Sequence, residues 1–375
     1  MKTQTRRTVL GTMGAALVGW ATTGRCVPAG SVDLLGLSAP TTARGARRRL
    51  LDVVSVGTRL VAVGDFGLIL SSDDGGARWE QQPSPVAVML TAVWFNDALH
   101  GWAVGHDGVI LSTENGGRHW QRRLDGRSIN QQMLEAAHAQ LETAQTRPRG
   151  KVPQDLIDNL EDRVADAQAA VQAGPSRPLL DVRFVDARTG FVVGSYGQLL
   201  RTTDAGRTWK YIGDRLDNDT GLHLNQITLS SSGELYIAAE GGTVFRSDDQ
   251  GQHWTRVRVG YNGQLYGFVT LNDGWLAYAF NGRLFRSDAQ GQRWTALPSP
   301  TGKSIVQGMR LPDGRVLLAS QSGELLLGDA RAETFRRQAS GNAELSGMTV
   351  MPGSSHVVTV GALGARVTTL NLSFT

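Results

Sequence analysis

Ser72-Asp73-Asp74-Gly75-Gly76-Ala77-Arg78-Trp79 is the phrase that decides the fold, because it recurs down the chain. It returns as Thr113 to Trp120, Thr202 to Trp209, Ser247 to Trp254 and Ser287 to Trp294, reducing to Ser/Thr-x-Asp-x-Gly-x-x-Trp, an Asp box. The box positions are Asp74 and Trp79, Asn115 and Trp120, Asp204 and Trp209, Asp249 and Trp254, and Trp294, with Phe335 in the next place. Successive aromatics are 41, 89, 45, 40 and 41 residues apart, so one interval holds an insertion of about 48 residues. A fixed period of this size signals a repeat architecture.

A second phrase lies upstream of each box. It reads Val61-Ala62-Val63-Gly64-Asp65-Phe66-Gly67, then Ala103 to Gly108 and Val192 to Gly197, with weaker copies at Ala238, Tyr278, Leu318 and Val358. Seven copies result. Within one copy the apolar runs Leu90 to Phe95, Gly101 to Val104, Val109 to Ser112 and His119 to Arg123 are separated by Gly, Asn and Asp punctuation. That is the signal for four short antiparallel strands. Four strands at a period near forty, seven times over, predict an all-β, seven-bladed propeller spanning 50–375; a solenoid of stacked hairpins is the rival.

The box has a structural role on its own chemistry. Its Asp or Asn accepts backbone N–H groups of the turn, Gly supplies a left-handed conformation, and the Trp packs toward a neighbouring blade. The motif also decays, with Asn115, then Ala289, then Phe335 alone in the sixth copy. Such decay suits a scaffold. The seventh copy is short of a fourth strand, so either the stretch Val32 to Leu37, within an N-terminal extension at 30–49, or a stub at Asn371 to Thr375 is expected to complete that blade.

Residues 1–29 read as an export signal. Lys2, Arg6 and Arg7 precede an uncharged stretch from Thr8 to Gly24, and Val27-Pro28-Ala29 offers a cleavage site. Thr5-Arg6-Arg7-Thr8-Val9-Leu10 resembles a twin-arginine signal. Cys26 is the one cysteine, so a cleaved chain forms no disulfide or thiolate metal site. Losing Lys2, Arg6, Arg7 and Arg25 leaves as many basic as acidic residues, and the case for nucleic-acid binding from net charge disappears. The expected location is periplasm or thylakoid lumen, peripheral to a membrane.

The insertion, 126–178, is helical. Met133, Leu134, Ala137, Leu141 and Ala144, then Leu156, Leu160, Val164, Ala167 and Val171, recur at three and four, with Ser128 placed as a cap. It joins the fourth strand of blade 2 to the first of blade 3, and so shares a face with the second-to-third-strand turns. Met133, Leu141, Leu156 and Leu160 on the hairpin, with Asp65, Phe66, His106, Asp107 and Tyr196 on those turns, are candidate partner-binding residues. The hairpin is expected to project toward a partner; the alternative is a hairpin lying on the rim. Arg201, Arg246 and Arg286 precede the box in three consecutive blades and form a candidate anionic docking arc. The alternative is that each pairs with a carboxylate of its own blade.

No catalytic or metal-binding constellation is read. The histidines lack ligand spacing, and Asp217-Asn218-Asp219-Thr220-Gly221 lacks the glutamate that closes a calcium loop. No cofactor is implied. The combined unit, best seen in Asp97 to Trp120 and Asp186 to Trp209, resembles the Ycf48/HCF136 family. That resemblance implies a photosystem II assembly or stability factor, non-catalytic, whose partner is a subunit of a membrane protein complex. An accessory subunit of a bacterial envelope or transporter complex is the alternative. A sialidase-like hydrolase is the enzyme rival, but the Arg-Ile-Pro motif such an enzyme needs is missing.

Overall fold

The computed structural model describes residues 32–147, 152–230 and 232–371. Seven antiparallel sheets follow one another along the chain, six of four strands and the last of three. In each, the strands are hydrogen-bonded in sequence order. The first strand of every sheet lies innermost, and the first strand of the seventh, Leu345–Val350, lies against that of the first, Leu50–Val56, so the ring closes. This is the seven-bladed propeller. The expected export signal at 1–29 and the residues beyond Asn371 lie outside the described residues.

The core is between the blades rather than within them. Each apolar cluster draws on two neighbouring sheets; the one that closes the ring packs Val358 and Val360 of blade 7 on Leu60, Ala62 and Leu70 of blade 1. The box supplies the interlock. In blade 3 the Thr202 hydroxyl donates to Asp204 Oδ1 (2.8 Å) and accepts from Gly206 N (2.9 Å), while Trp209 Nε1 donates to Gly206 O (3.2 Å). The turn so fixed holds Gly206 at φ 75° with its Cα against the Trp102 ring of blade 2, where a Cβ would meet Nε1 at 2.2 Å. Gly76, Gly251 and Gly291 also crowd side chains of the preceding blade, a Cβ there meeting Val367, Phe191 and Tyr236 at 2.9, 2.6 and 2.7 Å, whereas Gly117 is less tightly packed on Val61 at 3.4 Å.

The box also survives where its motif does not. In blade 5, Asp288 accepts Gln292 N at 2.9 Å in place of Ala289; in blade 6, Asp329 accepts Arg331 N at 2.8 Å and Thr334 N at 2.7 Å. The carboxylate has moved one place earlier. The sixth copy therefore keeps more than Phe335.

Two expectations are corrected. Val32 to Leu37 adds no strand to blade 7: Leu34–Gly36 is a single 3-10 turn, and Leu35 is a buried wedge in the cluster between blades 1 and 2. Without alternation and with Gly36, this stretch has no strand face to offer. The chain instead runs back over blade 1, where Thr42 N donates to Gln81 Oε1 (2.8 Å), and a turn at Gly45–Arg47 lies beside the third strand of blade 7, Gly364–Thr369. The hairpin, too, lies on the rim. Its helices α1 (Gly126–Gln145) and α2 (Gln154–Ala173) pack on each other, and α1 lies along blade 3. Asp125, not Ser128, caps α1, accepting from Arg127 N.

Gly206→Ala is expected to destabilise the ring by about 2–4 kcal/mol, since both the left-handed backbone and the contact with Trp102 forbid the methyl. Urea unfolding followed by tryptophan fluorescence measures this.

Candidate partner-binding surface

The turns between second and third strands and the links between blades share one face. Four of these turns carry a left-handed residue at the same place: Phe66, Asp107, Tyr196 and Asn281, at φ 54–57°. Asn and Asp tolerate this conformation through local hydrogen bonding, whereas bulky aromatics do not. Phe66 and Tyr196 are nonetheless 63% and 53% exposed. Their ring surface is therefore displayed at a backbone cost. His106 and Asp107 are half-buried, and the root of the hairpin lies over them, Gly126 packing against Asp107 O.

Tyr196 sits in a groove between the hairpin and blade 3, of about 180 Å³, lined by Met133, Arg163, Arg177, Tyr211 and Asp219. The Arg177 guanidinium stacks over its ring at 4.8 Å, and His223 lies 4.9 Å away. Burial pushes the Tyr211 phenol up to about 12. The hairpin is held to blade 3 by Gln132, whose amide donates to Trp209 O (3.3 Å) and accepts from Tyr211 N (2.8 Å), and by Gln140 donating to Asp214 O. Met133 packs on the core of blades 2 and 3. Leu160 is buried, Leu141 half-buried and Leu156 exposed. Of the four hairpin candidates only Leu156 is thus well displayed, because the docked helices use the other three themselves.

The arginine arc resolves unequally. Arg246 pairs with Glu234 of its own blade, and Arg286 makes two 2.8 Å bonds to Asp273 and reaches Glu333 at 3.4 Å. Arg201 has no acidic partner among the described residues; it stands 5.8 Å over Phe191 with Nε buried and without a hydrogen bond there. The arc is largely neutralised. Asp217 and Asp219 face Arg256 and Arg163, and Asn218 caps its own turn through Leu222.

Sequence reading missed the wall of the central channel. Every innermost strand carries a register shift at the same place. The residue there reaches to the next blade: Asp52 Oδ2 accepts Val93 N (2.9 Å), Asp181 Oδ2 accepts Ile227 N (2.9 Å), Gln226 Oε1 accepts Phe268 N (2.7 Å), and Gln307 accepts Met348 N. Burial pushes Asp52 up to about 7 against the Val93 bond, with the Asp181 charge adding to the rise; it pushes Asp181 up to about 6 against the Ile227 bond. Arg183, 4.0 Å over Trp94, is lowered by burial and supported by Asp181. Polar residues at one repeated position of an otherwise apolar strand were the available signal.

The family model described as "Photosynthesis system II assembly factor YCF48" matches residues 71–145 and 163–351. The chain belongs to this family. The break in the match falls at the tip of the hairpin and the start of α2. A curated relative, "Photosystem II assembly lipoprotein Ycf48" of Synechococcus sp. (strain CC9902), is 36% identical over 86 residues, which is 23% of this chain and 24% of that protein. The match thus spans about a quarter of that relative. Two solved structures share the fold. "YCF48 bound to D1 peptide" is 16% identical, covering 87% of this chain and 94% of that one at a TM-score of 0.60. "YCF48 from Cyanidioschyzon merolae" is 17% identical, covering 88% and 97% at 0.59. Among the described residues no helix is long and apolar enough to cross a membrane.

Two tests follow. Both channel carboxyls hold their protons to higher pH folded than at the unfolded value of about 3.9. Their contribution is therefore full below pH 4 and lost as pH rises through the 6 to 7 range. Unfolding free energy measured in urea should fall across that window. The fall should be smaller in Asp52→Asn, from a lower baseline, because an amide oxygen replaces only one of two acceptors. For the hairpin, Gln132→Ala should cost about 1–2 kcal/mol and speed hydrogen exchange at the Tyr211 amide; unchanged exchange would show that the hairpin is held elsewhere.

Proposed function

We propose that this protein is an exported, non-catalytic assembly factor that holds a segment of a photosystem II-type membrane subunit, peripheral to the membrane, on the face carrying the hairpin. The observation that carries this reading is the family match, which runs through the ring from the first box into blade 7. A solved relative bound to a D1 peptide supports a peptide segment as the thing held. The chemistry of the boxes favours a scaffold: the Arg78 N–H, then the Ser72 hydroxyl, hold the Asp74 carboxyl below the usual range, so it is spent on its own turn. What remains displayed is Tyr196 with Arg177 beside the hairpin, an aromatic and a cation suited to an extended chain carrying a carboxylate.

Crosslinking to host membranes and identification of the captured protein test this. A photosystem subunit captured by the wild type, and at least about fivefold less by Tyr196→Ala with Arg177→Ala, is the expected result. Capture of a transporter subunit would replace it with the envelope-complex reading. A chain lacking Gly126 to Arg177 that still folds and still captures the subunit would remove the hairpin from the site.

A further inference from the structure

We infer that the link face around blades 1 and 7 is a docking surface for an anionic phospholipid bilayer. The inference deepens the peripheral-membrane reading above and rests on it. The segment ahead of the first strand brings Arg44, Arg47, Arg48 and Arg49 to this face, all exposed. None has an ion pair or side-chain hydrogen bond among the described residues, unlike Arg59, Arg246, Arg286 and Arg315 on the opposite face, each of which holds a carboxylate. Arg47, Arg48, Arg49 and Phe66 line a groove of about 600 Å³ together with Pro40, Thr42 and Ala362. Asp65 is the acid in its lining, one carboxylate against three guanidiniums.

Apolar side chains flank the basic groove. Phe66 is 63% exposed, Leu363 beside Ala362 is 51%, and Leu34 and Leu37 at the start of the same segment are 39% and 46%. Phe66 holds a left-handed backbone that the equivalent Asn281 accepts more readily, so the strained aromatic is retained with its ring in solvent. Unpaired arginines beside exposed leucine and phenylalanine are the chemistry of an interfacial contact, phosphates taking the cations and the acyl boundary the apolar groups. Four unpaired arginines with exposed phenylalanine and leucine on the same face favour an anionic bilayer, which offers phosphates and acyl chains together, over a free acidic peptide.

The test is sedimentation of the chain lacking residues 1–29 with vesicles of phosphatidylglycerol in phosphatidylcholine, against phosphatidylcholine alone. Binding should require the anionic lipid and weaken as salt rises from 0.1 to 0.5 M, on the order of tenfold. Arg47→Glu with Arg48→Glu and Arg49→Glu should weaken it at least about tenfold, and Arg118→Glu on the box face should not. Phe66→Asn should weaken it several-fold while unfolding at the same or higher urea, since asparagine suits the turn. Loss of lipid binding with membrane-subunit capture intact separates this inference from the function it rests on. Lipid binding that survives the triple variant, or falls equally with Arg118→Glu, overturns it. So does a wild type that ignores the vesicles and instead binds an acidic peptide or a second copy through these arginines.

Discussion

The ring depends on one contact made again and again: in blades 1, 3, 4 and 5 a glycine of the box is pressed against a side chain of the blade before it. Gly206 on Trp102, Gly251 on Phe191 and Gly291 on Tyr236 leave no room for a methyl. The hydrogen bonds of the box do not stabilise this contact directly. They fix a turn tight enough to present bare backbone, and the neighbouring ring then fills the space. Trp102 in turn stacks on Phe184 of blade 3 at 3.6 Å, so the two blades are keyed in both directions. Because each blade buries its apolar faces against its neighbours, closing blade 7 on blade 1 covers the two faces an open array would leave exposed. Gly76 against Val367 and Leu60 carries the same key across the junction of blades 7 and 1.

A second link runs around the channel. At the shifted position of the innermost strand, a side chain from one blade takes a backbone N–H of the next. Where the preceding blade offers only Ala92 or Gly347, no such reach is possible. Blades 3 and 1 then satisfy the exposed group themselves, Asp181 Oδ1 accepting Val182 N and Asp52 Oδ1 accepting Val53 N, each at 2.8 Å. Each aspartate thus serves two blades. That double duty explains why carboxylates are kept in a lining that raises their pKa. Glutamine serves where one bond is enough.

Much of the fold was legible because the repeat is periodic and its glycines and tryptophans are physically required. The box counted the blades, its interrupted period revealed the insertion, and apolar spacing made it a helical hairpin within 126–178, where α1 and α2 lie. What failed was non-periodic. The wedge at Leu35 and the turn at Gly45–Arg47 follow no repeat, so their place could not be read from spacing. Spacing also says that Arg246 and Arg286 share an arc but not that Glu234 and Asp273 meet them. The hairpin shows the same limit: Met133 and Leu160 are an apolar stripe whichever surface covers them, and only the structure shows that blade 3 and the partner helix do. Asp288 and Asp329, a place out of register, are the box doing its work under a different pattern.

The two faces of the ring end up chemically unequal, and the reason lies in connectivity. On the box face turns are closed by their own motif, and Arg59, Arg246, Arg286 and Arg315 there stand beside acidic residues of the same or the next blade, Arg201 being the exception. Charge is consumed locally. On the other face the connections are the links between blades and the short turns after each second strand, which carry no box and therefore no built-in carboxylate. Side chains there are free to vary without loosening the interlock, as Phe66, Asp107, Tyr196 and Asn281 at one backbone position show. A helical hairpin could be inserted on this face without disturbing any blade, since it replaces a link rather than a rung. Selection for binding can act on such a surface independently of stability, and that is where this chain displays its aromatics and its unpaired arginines.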